Sequence, residues 1–152
     1  MDQDAFRQTY RDINDRLCVF EKSILTNQCR CSRAERLCIA EREGVHCTSD
    51  EAQALCIALL DMLREQSRFA LKNVDGQPLL AHGKAMRIQV GGLRGLYSAL
   101  YPDQPIPHPI PDINGLIEAA VNRFSGIDGL PLQPVIQQIA AYRGKVRGRR
   151  KR

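Results

Sequence analysis

Six cysteines are the residues of this chain whose type and spacing could support chemistry. Residues 31–35 and 47–51 share one pattern: a cysteine, a hydroxyl residue, two spacers and a glutamate. A hydroxyl residue followed three positions later by glutamate is the capping-box spacing that opens a helix. Cys31 and Cys47 are therefore predicted to lie just before helix starts, where free N–H groups and the helix dipole stabilise a thiolate.

Four cysteines form the predicted metal site: Cys18, Cys29, Cys31 and Cys47. Cys29 shares the predicted loop of Cys31, two residues away. Cys18 falls at the edge of the apolar face of the first predicted helix, on a mostly polar flank from which a ligand can reach a neighbouring loop. Thiolates in such positions are typical metal or cluster ligands.

The remaining cysteines and one histidine are reserve ligands. Cys38 and Cys56 are predicted on the apolar faces of two helices, where a cysteine is typically a small buried hydrophobe. Either could replace Cys18 if the helices meet at a different angle. His46, next to Cys47, leaves open a zinc site with three cysteines and one histidine, or a histidine-ligated cluster.

The spacing of the cysteines bears on the choice of metal. Structural zinc sites usually use paired cysteines with two to four residues between them, and this chain has no C-x-x-C, only Cys29-x-Cys31. Iron–sulfur clusters take four thiolates and carry a negative charge that Arg30, Arg33 and Arg36 would offset. The predicted cofactor is an iron–sulfur cluster, 4Fe–4S in preference to 2Fe–2S, with zinc as the alternative.

Apolar periodicity predicts an all-α fold, a compact bundle of five to six helices that must position these cysteines. The predicted helices span residues 4–26, 32–43, 48–72, 82–100, 112–124 and 134–143. Gly44 is expected to end the second helix in a left-handed conformation. In residues 82–100, Gly91, Gly92 and Gly95 mark either a break or a face that another helix approaches closely. Prolines between 102 and 111 predict an extended connector.

The predicted organisation is one helical domain over residues 1–142, with a cysteine-rich metal-binding half (1–72) and a packing half (73–142). Residues 143–152 are predicted to be a disordered basic tail. The net charge of +5 arises there, because without its seven Lys and Arg residues fifteen basic residues remain against seventeen acidic ones. The predicted anion-binding residues are Lys145, Arg147, Arg149, Arg150, Lys151 and Arg152.

The basic tail would bind either a larger acidic protein or nucleic acid. We expect the acidic protein, since the rest of the chain is slightly acidic and shows no pattern of a nucleic-acid recognition helix. The sequence contains no run of 18 apolar residues, so no membrane span is predicted. Residues 1–4 do not resemble a secretory signal. These features predict a cytoplasmic protein, in which six cysteines stay reduced.

No motif of a nucleotide-binding loop, a serine hydrolase or a zinc protease occurs, so an enzyme is not the expected class. The expected function is that of a small iron–sulfur protein acting in electron transfer, in redox sensing or as an accessory factor to a larger complex. One alternative is a zinc-stabilised nucleic-acid-binding or regulatory module that uses the basic tail. The other is a metal-free helical scaffold with buried thiols.

Overall fold

The computed structural model describes residues 3–71 and 81–143. The tail residues predicted to bind anions, 145–152, lie outside this part of the chain. The elements in chain order are α1 (Gln3–Ile13), α2 (Glu21–Leu25), β1 (Ala34–Ile39), β2 (Arg42–Cys47), α3 (Asp50–Ser67), α4 (Ala81–Met86), α5 (Gly92–Leu100), α6 (Ile113–Phe124) and α7 (Leu132–Ala141). A π-helical turn, Arg87–Gly91, joins α4 to α5, and a short 3₁₀ turn, Ile127–Gly129, precedes α7.

The all-α prediction is wrong, because β1 and β2 form an antiparallel hairpin where a helix was expected over residues 32–43. Ala34 lies opposite Cys47, and Ile39 lies opposite Arg42. Ala40 and Glu41 form the two-residue turn with φ angles of 49° and 68°. Positive φ at both positions is the geometry that matches the twist of paired strands. The described part of the chain is therefore mostly helical with one two-stranded sheet.

Hydrogen bonds from outside the hairpin explain why strands form in a segment rich in helix-forming residues. The N–H of Cys18 donates to the carbonyl of Val45 at 3.0 Å, and the N–H of Cys47 donates to the carbonyl of Arg16 at 2.8 Å. β2 is thus bonded on both of its edges. Gly44 is a strand residue and not a left-handed cap, and a Cβ there would collide with the ring of Tyr10. Tertiary pairing overrides local helix propensity here.

The long first helix predicted over residues 4–26 is also wrong, since α1 ends at Ile13 and α2 begins only at Glu21. The break is at Asn14, which is 4% exposed. Its side-chain Nδ2 donates to the carbonyl of Val45 at 2.9 Å, and its Oδ1 lies 2.9 Å from Nδ1 of His46. The buried amide anchors the chain to β2, so Cys18 lies in a connecting segment and not on a helix.

The central helix is confirmed as α3, with its start shifted by two residues. Ser49, and not Thr48, is the N-cap, and its hydroxyl accepts the N–H of Ala52 at 3.1 Å. Leu59 and Leu63 of this helix are fully buried and belong to the hydrophobic core. α3 therefore supplies the apolar centre against which the other helices pack.

The helices predicted in residues 82–143 are confirmed to within a few residues. A Cβ on Gly91 would lie 2.7 Å from Cα of Ile139, and one on Gly95 would lie 2.6 Å from Cα of Val135. The glycines are thus the face at which α7 approaches closely. The proline-rich residues 102–111 form no helix, as predicted, and Ile110 makes an isolated parallel bridge to Cys29.

Candidate metal centre

Four cysteine side chains line one cavity: Cys18, Cys31, Cys47 and Cys56. The cavity measures about 20 Å³, a volume that can hold about one water molecule. The other lining residues are Val19, Phe20, Arg33, Ala34, Ala52, Gln53, Ile113 and Asn114. The surroundings of the four thiols are therefore mainly hydrocarbon.

The four thiols come from four separate segments of the chain. Cys18 lies between α1 and α2, Cys31 lies before β1, Cys47 ends β2, and Cys56 lies in the second turn of α3. The backbone hydrogen bonds that join residues 16–18 to β2 place Cys18 beside Cys47. Because no two of these cysteines are close in sequence, only the tertiary fold brings all four together.

Cys31 is held at the start of α6 by two hydrogen bonds that cross between the segments. The N–H of Ser32 donates to Oδ1 of Asp112 at 2.9 Å, and the N–H of Ile113 donates to the carbonyl of Arg30 at 2.8 Å. The sequence predicted a helix start beside Cys31, but the helix is α6 and not one that follows Cys31 directly. The cavity thus lies between the first turns of α3 and α6.

The pKa values of Cys18, Cys31 and Cys56 are raised, which is the opposite of the stabilised thiolates that were expected. Burial raises the pKa of Cys18 and of Cys56 to about 12, and it raises the pKa of Cys31. Hydrogen bonds from the N–H groups of Arg33 and Asn114 lower the pKa of Cys31, but burial outweighs them. Negative charge on any neighbouring cysteine of the four would raise the pKa of Cys56 further. Several thiolates can coexist here only beside a strongly positive group.

Asn114 places an unused hydrogen-bond donor on the wall of the cavity. The residue is 3% exposed, and its side-chain Nδ2 has no hydrogen-bond partner among the described residues. A buried donor without an acceptor costs about 1–3 kcal/mol, so such groups are rare and point to a missing partner. An acceptor bound in the cavity would satisfy it.

The fourth predicted ligand, Cys29, does not line this cavity. It is 1% exposed, its N–H donates to the carbonyl of Ser23 at 3.1 Å, and it lines a neighbouring pocket with Cys31. Burial raises the pKa of Cys29 to about 12, and the positive charge of Arg94 opposes this only in part. Among the predicted ligands, Cys18, Cys31 and Cys47 come together, and the reserve residue Cys56 joins them.

The other two reserve residues lie elsewhere. Cys38 is exposed on β1 opposite Glu43, so its predicted burial is wrong, because the segment is a strand and not a helix. His46 does not line the cavity, and its Nδ1 faces the side chain of Asn14. Neither residue is positioned to join the four thiols.

Sequence reasoning ranked Cys56 below Cys29 and missed Asn114. The signal for Cys56 was its place on α3 four residues after Ala52, near the start of the helix that follows Cys47. That position is equally typical of a buried hydrophobe, so periodicity alone could not separate the two roles. No local signal marks Asn114, because α6 meets the cysteines only in the tertiary fold.

Within residues 3–71 and 81–143, no three His, Cys, Asp or Glu side chains lie close enough together to hold a single metal ion. All six cysteines are free thiols. No helix in these ranges combines the length and the apolar character needed to cross a membrane. Comparisons with protein-family models, curated proteins and solved structures find no match to this chain.

Proposed function

We propose that this chain is an iron–sulfur protein that holds a 4Fe–4S cluster through Cys18, Cys31, Cys47 and Cys56. The observation that carries the proposal is the convergence of these four thiols, from four segments, on one cavity. A cysteine that serves only as a small hydrophobe can be buried anywhere in a core. Four thiols around one space with mainly hydrocarbon walls are the donor set that an iron–sulfur cluster requires.

The donors around the cavity suit a cluster, whose sulfides add acceptors to those of the thiolates. The N–H of Arg33 lies 3.5 Å from Sγ of Cys31, and the N–H of Asn114 also points to that sulfur. The unpartnered Nδ2 of Asn114 is a further donor. Hydrogen bonds of this kind tune cluster potentials, and the starts of α3 and α6 offset part of the negative charge.

The position of the cavity favours a role in electron transfer or redox sensing. Cys31 is only half-buried and Arg33 is exposed, so one side of the site lies near the surface, where a partner can exchange electrons with it. A cluster held by four thiolates has no open coordination position for a substrate, so the proposal does not include an enzymatic activity. We also infer a cytoplasmic location, since a reducing compartment keeps all six cysteines free for ligation.

The direct test is to purify the full chain without oxygen and to measure iron, acid-labile sulfide and zinc in parallel. The proposal expects about four iron and four sulfide per chain and a brown colour that bleaches with dithionite. Colourless protein with one zinc per chain would replace it with the zinc-stabilised alternative. Colourless protein with neither metal, folded as before, would replace it with the metal-free scaffold.

A further inference from the structure

A second, larger recess lies outside the four-thiol cavity. This groove measures about 680 Å³ and is bordered by the end of α2, by α5, by the proline-rich segment and by the end of α7. Small-molecule sites in proteins commonly enclose about 300–1,000 Å³, so the groove has the size of a site for a metabolite. Its charged or aromatic side chains are Arg94, His108, Tyr142 and Arg143, and none of the described residues that line it is a carboxylate.

Arg94 gives the groove a cation without a counter-ion. Its side chain is half-buried on α5, and no carboxylate or hydrogen-bond acceptor for it is found in residues 3–71 and 81–143. Burial raises the pKa of Tyr142 and of Cys29, and the positive charge of Arg94 opposes both shifts in part. The guanidinium therefore lies close to Tyr142 of the groove wall. A partly desolvated guanidinium gains most from an oxyanion that it can bind through two hydrogen bonds.

The carbonyl groups at the end of α7 do not oppose a bound anion. A helix C-terminus carries a partial negative charge, which by itself would repel an anion. Here Nη1 of Arg87 and Nη1 of Arg143 each donate to the carbonyl of Ala140 at 2.8 Å. Nη1 of Arg143 also donates to the carbonyl of Ala141 at 3.2 Å. Two arginines thus offset the negative end of the helix, and one of them lines the groove.

Uncharged polar side chains on the groove wall can bind hydroxyl groups. The side chain of Gln138 is half-buried, and its amide has no hydrogen-bond partner in the described ranges. Oε1 of Gln28 accepts the hydroxyl of Tyr142 at 3.2 Å and lies 2.9 Å from Nε2 of His108, which positions both rings. An amide with a donor and an acceptor both unused suits a ligand hydroxyl, which also offers a donor and an acceptor.

We propose that the groove binds a small phosphomonoester with a hydroxylated body, such as a sugar phosphate. The phosphate accepts hydrogen bonds from Arg94, and a hydroxyl of the body pairs with the amide of Gln138. A phosphomonoester carries a charge of about −1.5 to −2 at pH 7, which matches two guanidiniums, Arg94 and Arg143, more closely than one carboxylate does. The inference does not depend on the iron–sulfur proposal, because none of the groove residues lines the four-thiol cavity.

The test is a chemical-shift titration of the ¹⁵N-labelled full chain with ribose 5-phosphate, followed by NMR. The largest side-chain shifts should be those of Nε–H of Arg94 and of the amide of Gln138. Affinity should fall as salt rises from about 50 to 300 mM, because salt screens the attraction between a partly exposed guanidinium and the phosphate. Inorganic phosphate should bind more weakly, and ribose should bind least.

Three results of this titration would overturn the proposal. The first is an absence of shifts at the groove with ribose 5-phosphate up to about 10 mM, which corresponds to no useful affinity. The second is binding of ribose as tight as that of ribose 5-phosphate, because the phosphate would then make no contact of its own. The third is tighter binding of succinate, which would replace the phosphate ligand with a carboxylate.

Variants of Arg94 test the phosphate contact. Arg94→Gln should weaken the binding of ribose 5-phosphate and of inorganic phosphate by about ten-fold or more, since it removes both the charge and the paired hydrogen bonds. Arg94→Lys keeps the charge, so its loss of affinity should be smaller. Arg64→Gln is the matched control, since Arg64 is exposed on α3, pairs with Asp61 and does not line the groove. Equal losses with Arg94→Gln and Arg64→Gln would overturn the groove as the site.

Variants of α7 test the contact to the sugar. Gln138→Ala should weaken the binding of ribose 5-phosphate several-fold and leave inorganic phosphate unchanged, because only the sugar has a hydroxyl for the amide. Gln137→Ala is the matched control, since Gln137 is exposed on the same helix and does not line the groove. An unchanged affinity for ribose 5-phosphate with Gln138→Ala would overturn the sugar contact. Urea midpoints equal to that of the unmutated chain exclude misfolding as the cause of any loss.

Discussion

The four-thiol cavity and the groove differ in how far their polar groups are removed from water. In the cavity of about 20 Å³, burial raises the pKa of Cys18, Cys31 and Cys56, and one amide donor, Nδ2 of Asn114, has no partner among the described residues. The groove of about 680 Å³ leaves the charge of Arg94 in partial contact with water. A metal or cluster in the cavity would therefore have to displace protons from sulfur, whereas an anion could bind the groove without any proton transfer.

The pKa of the buried thiol of Cys29 depends on charges from both regions. Negative charge on Cys18 would raise the pKa of Cys29, and the charge of Arg94 lowers it. It lines neither the cavity nor the groove. This position makes Cys29 the natural control for experiments on the metal site, because its substitution alters a buried thiol without removing a cavity thiol.

The largest expected effect is loss of the cluster when a cavity thiol is removed. Cys56→Ser should lower the iron and sulfide content several-fold, because a serine oxygen is a poorer ligand for cluster iron than a thiolate. Cys29→Ser and Cys38→Ser should retain the cluster, since neither residue lines the cavity. Iron and sulfide analysis after oxygen-free purification is the measurement. Loss of the cluster with Cys29→Ser and retention with Cys56→Ser would restore the ligand set expected from the sequence.

The second expected effect is a fall in the stability of the metal-free protein at high pH. Burial raises the pKa of Cys18, Cys29 and Cys56 from 9.0 to about 12. Between these values the unfolded chain has lost protons that the folded chain keeps, so stability present below pH 9 is lost as pH rises towards 12. Each thiol contributes a slope of up to about 1.4 kcal/mol per pH unit.

Urea unfolding of the metal-free chain at intervals from pH 7 to pH 11 measures this slope. Cys56→Ser should reduce the slope by up to about 1.4 kcal/mol per pH unit, the contribution of one buried thiol. A flat profile between pH 9 and pH 11 in the unmutated chain would show that these thiols are not desolvated, and it would remove the contrast between cavity and groove.

The third expected effect tests whether the two regions are structurally separate. Gly95→Ala should destabilise the chain by about 1–3 kcal/mol, because the added Cβ would lie 2.6 Å from Cα of Val135 and would push α7 away from α5. Gly83→Ala is the matched control on α4, where a Cβ would meet no atom of residues 3–71 or 81–143 within 4 Å. No residue of α5 or α7 lines the cavity, so iron and sulfide content should stay unchanged with Gly95→Ala. Loss of the cluster with Gly95→Ala would show that the cavity and the packing of α5 against α7 are coupled.

The helices α6 and α7 could be predicted from the sequence, whereas the hairpin could not. α6 follows from its apolar periodicity and from Asp112 at its start, and the close approach of α7 follows from Gly91 and Gly95. The hairpin was missed because Ala40 and Glu41 carry no turn signal. Its strands are also stabilised by hydrogen bonds to residues 16–18, far away in sequence. Local patterns contain no information on such pairings.

For the candidate metal centre, the sequence pointed to three of the four cysteines that line the cavity and not to the way in which the fold brings them together. The capping-box pattern led to Cys31 and Cys47, although Ser32 begins no helix and Thr48 is not the cap of α3. Cys31 reaches a helix start only because residues 30–32 bond to the first turn of α6. The preference for Cys29 over Cys56 rested on Cys29 lying in a loop, and packing put the loop residue outside the cavity.

The smallest expected effect concerns Asn114→Leu. This substitution should stabilise the metal-free chain and should lower the reduction potential of the chain that holds a cluster. Asn114→Leu removes a buried donor that has no partner in the described part of the chain, so the metal-free chain should become more stable by about 1 kcal/mol in urea unfolding. With a cluster bound, the same substitution removes a donor to its sulfur atoms. The reduced cluster carries the larger negative charge and depends more on that donor, so the reduction potential should fall.

Gln53→Leu is the matched control, because Gln53 also lines the cavity but its Nε2 already donates to the carbonyl of Leu17 at 2.9 Å. This hydrogen bond is exposed, so water can replace the lost donor, and Gln53→Leu should change neither the stability of the metal-free chain nor the potential by much. Thus only Asn114→Leu should raise the stability of the metal-free chain and lower the potential. Asn114→Leu that destabilises the metal-free chain would mean that Nδ2 already has a partner, such as a bound water, and that the cavity holds no unused donor for a cluster.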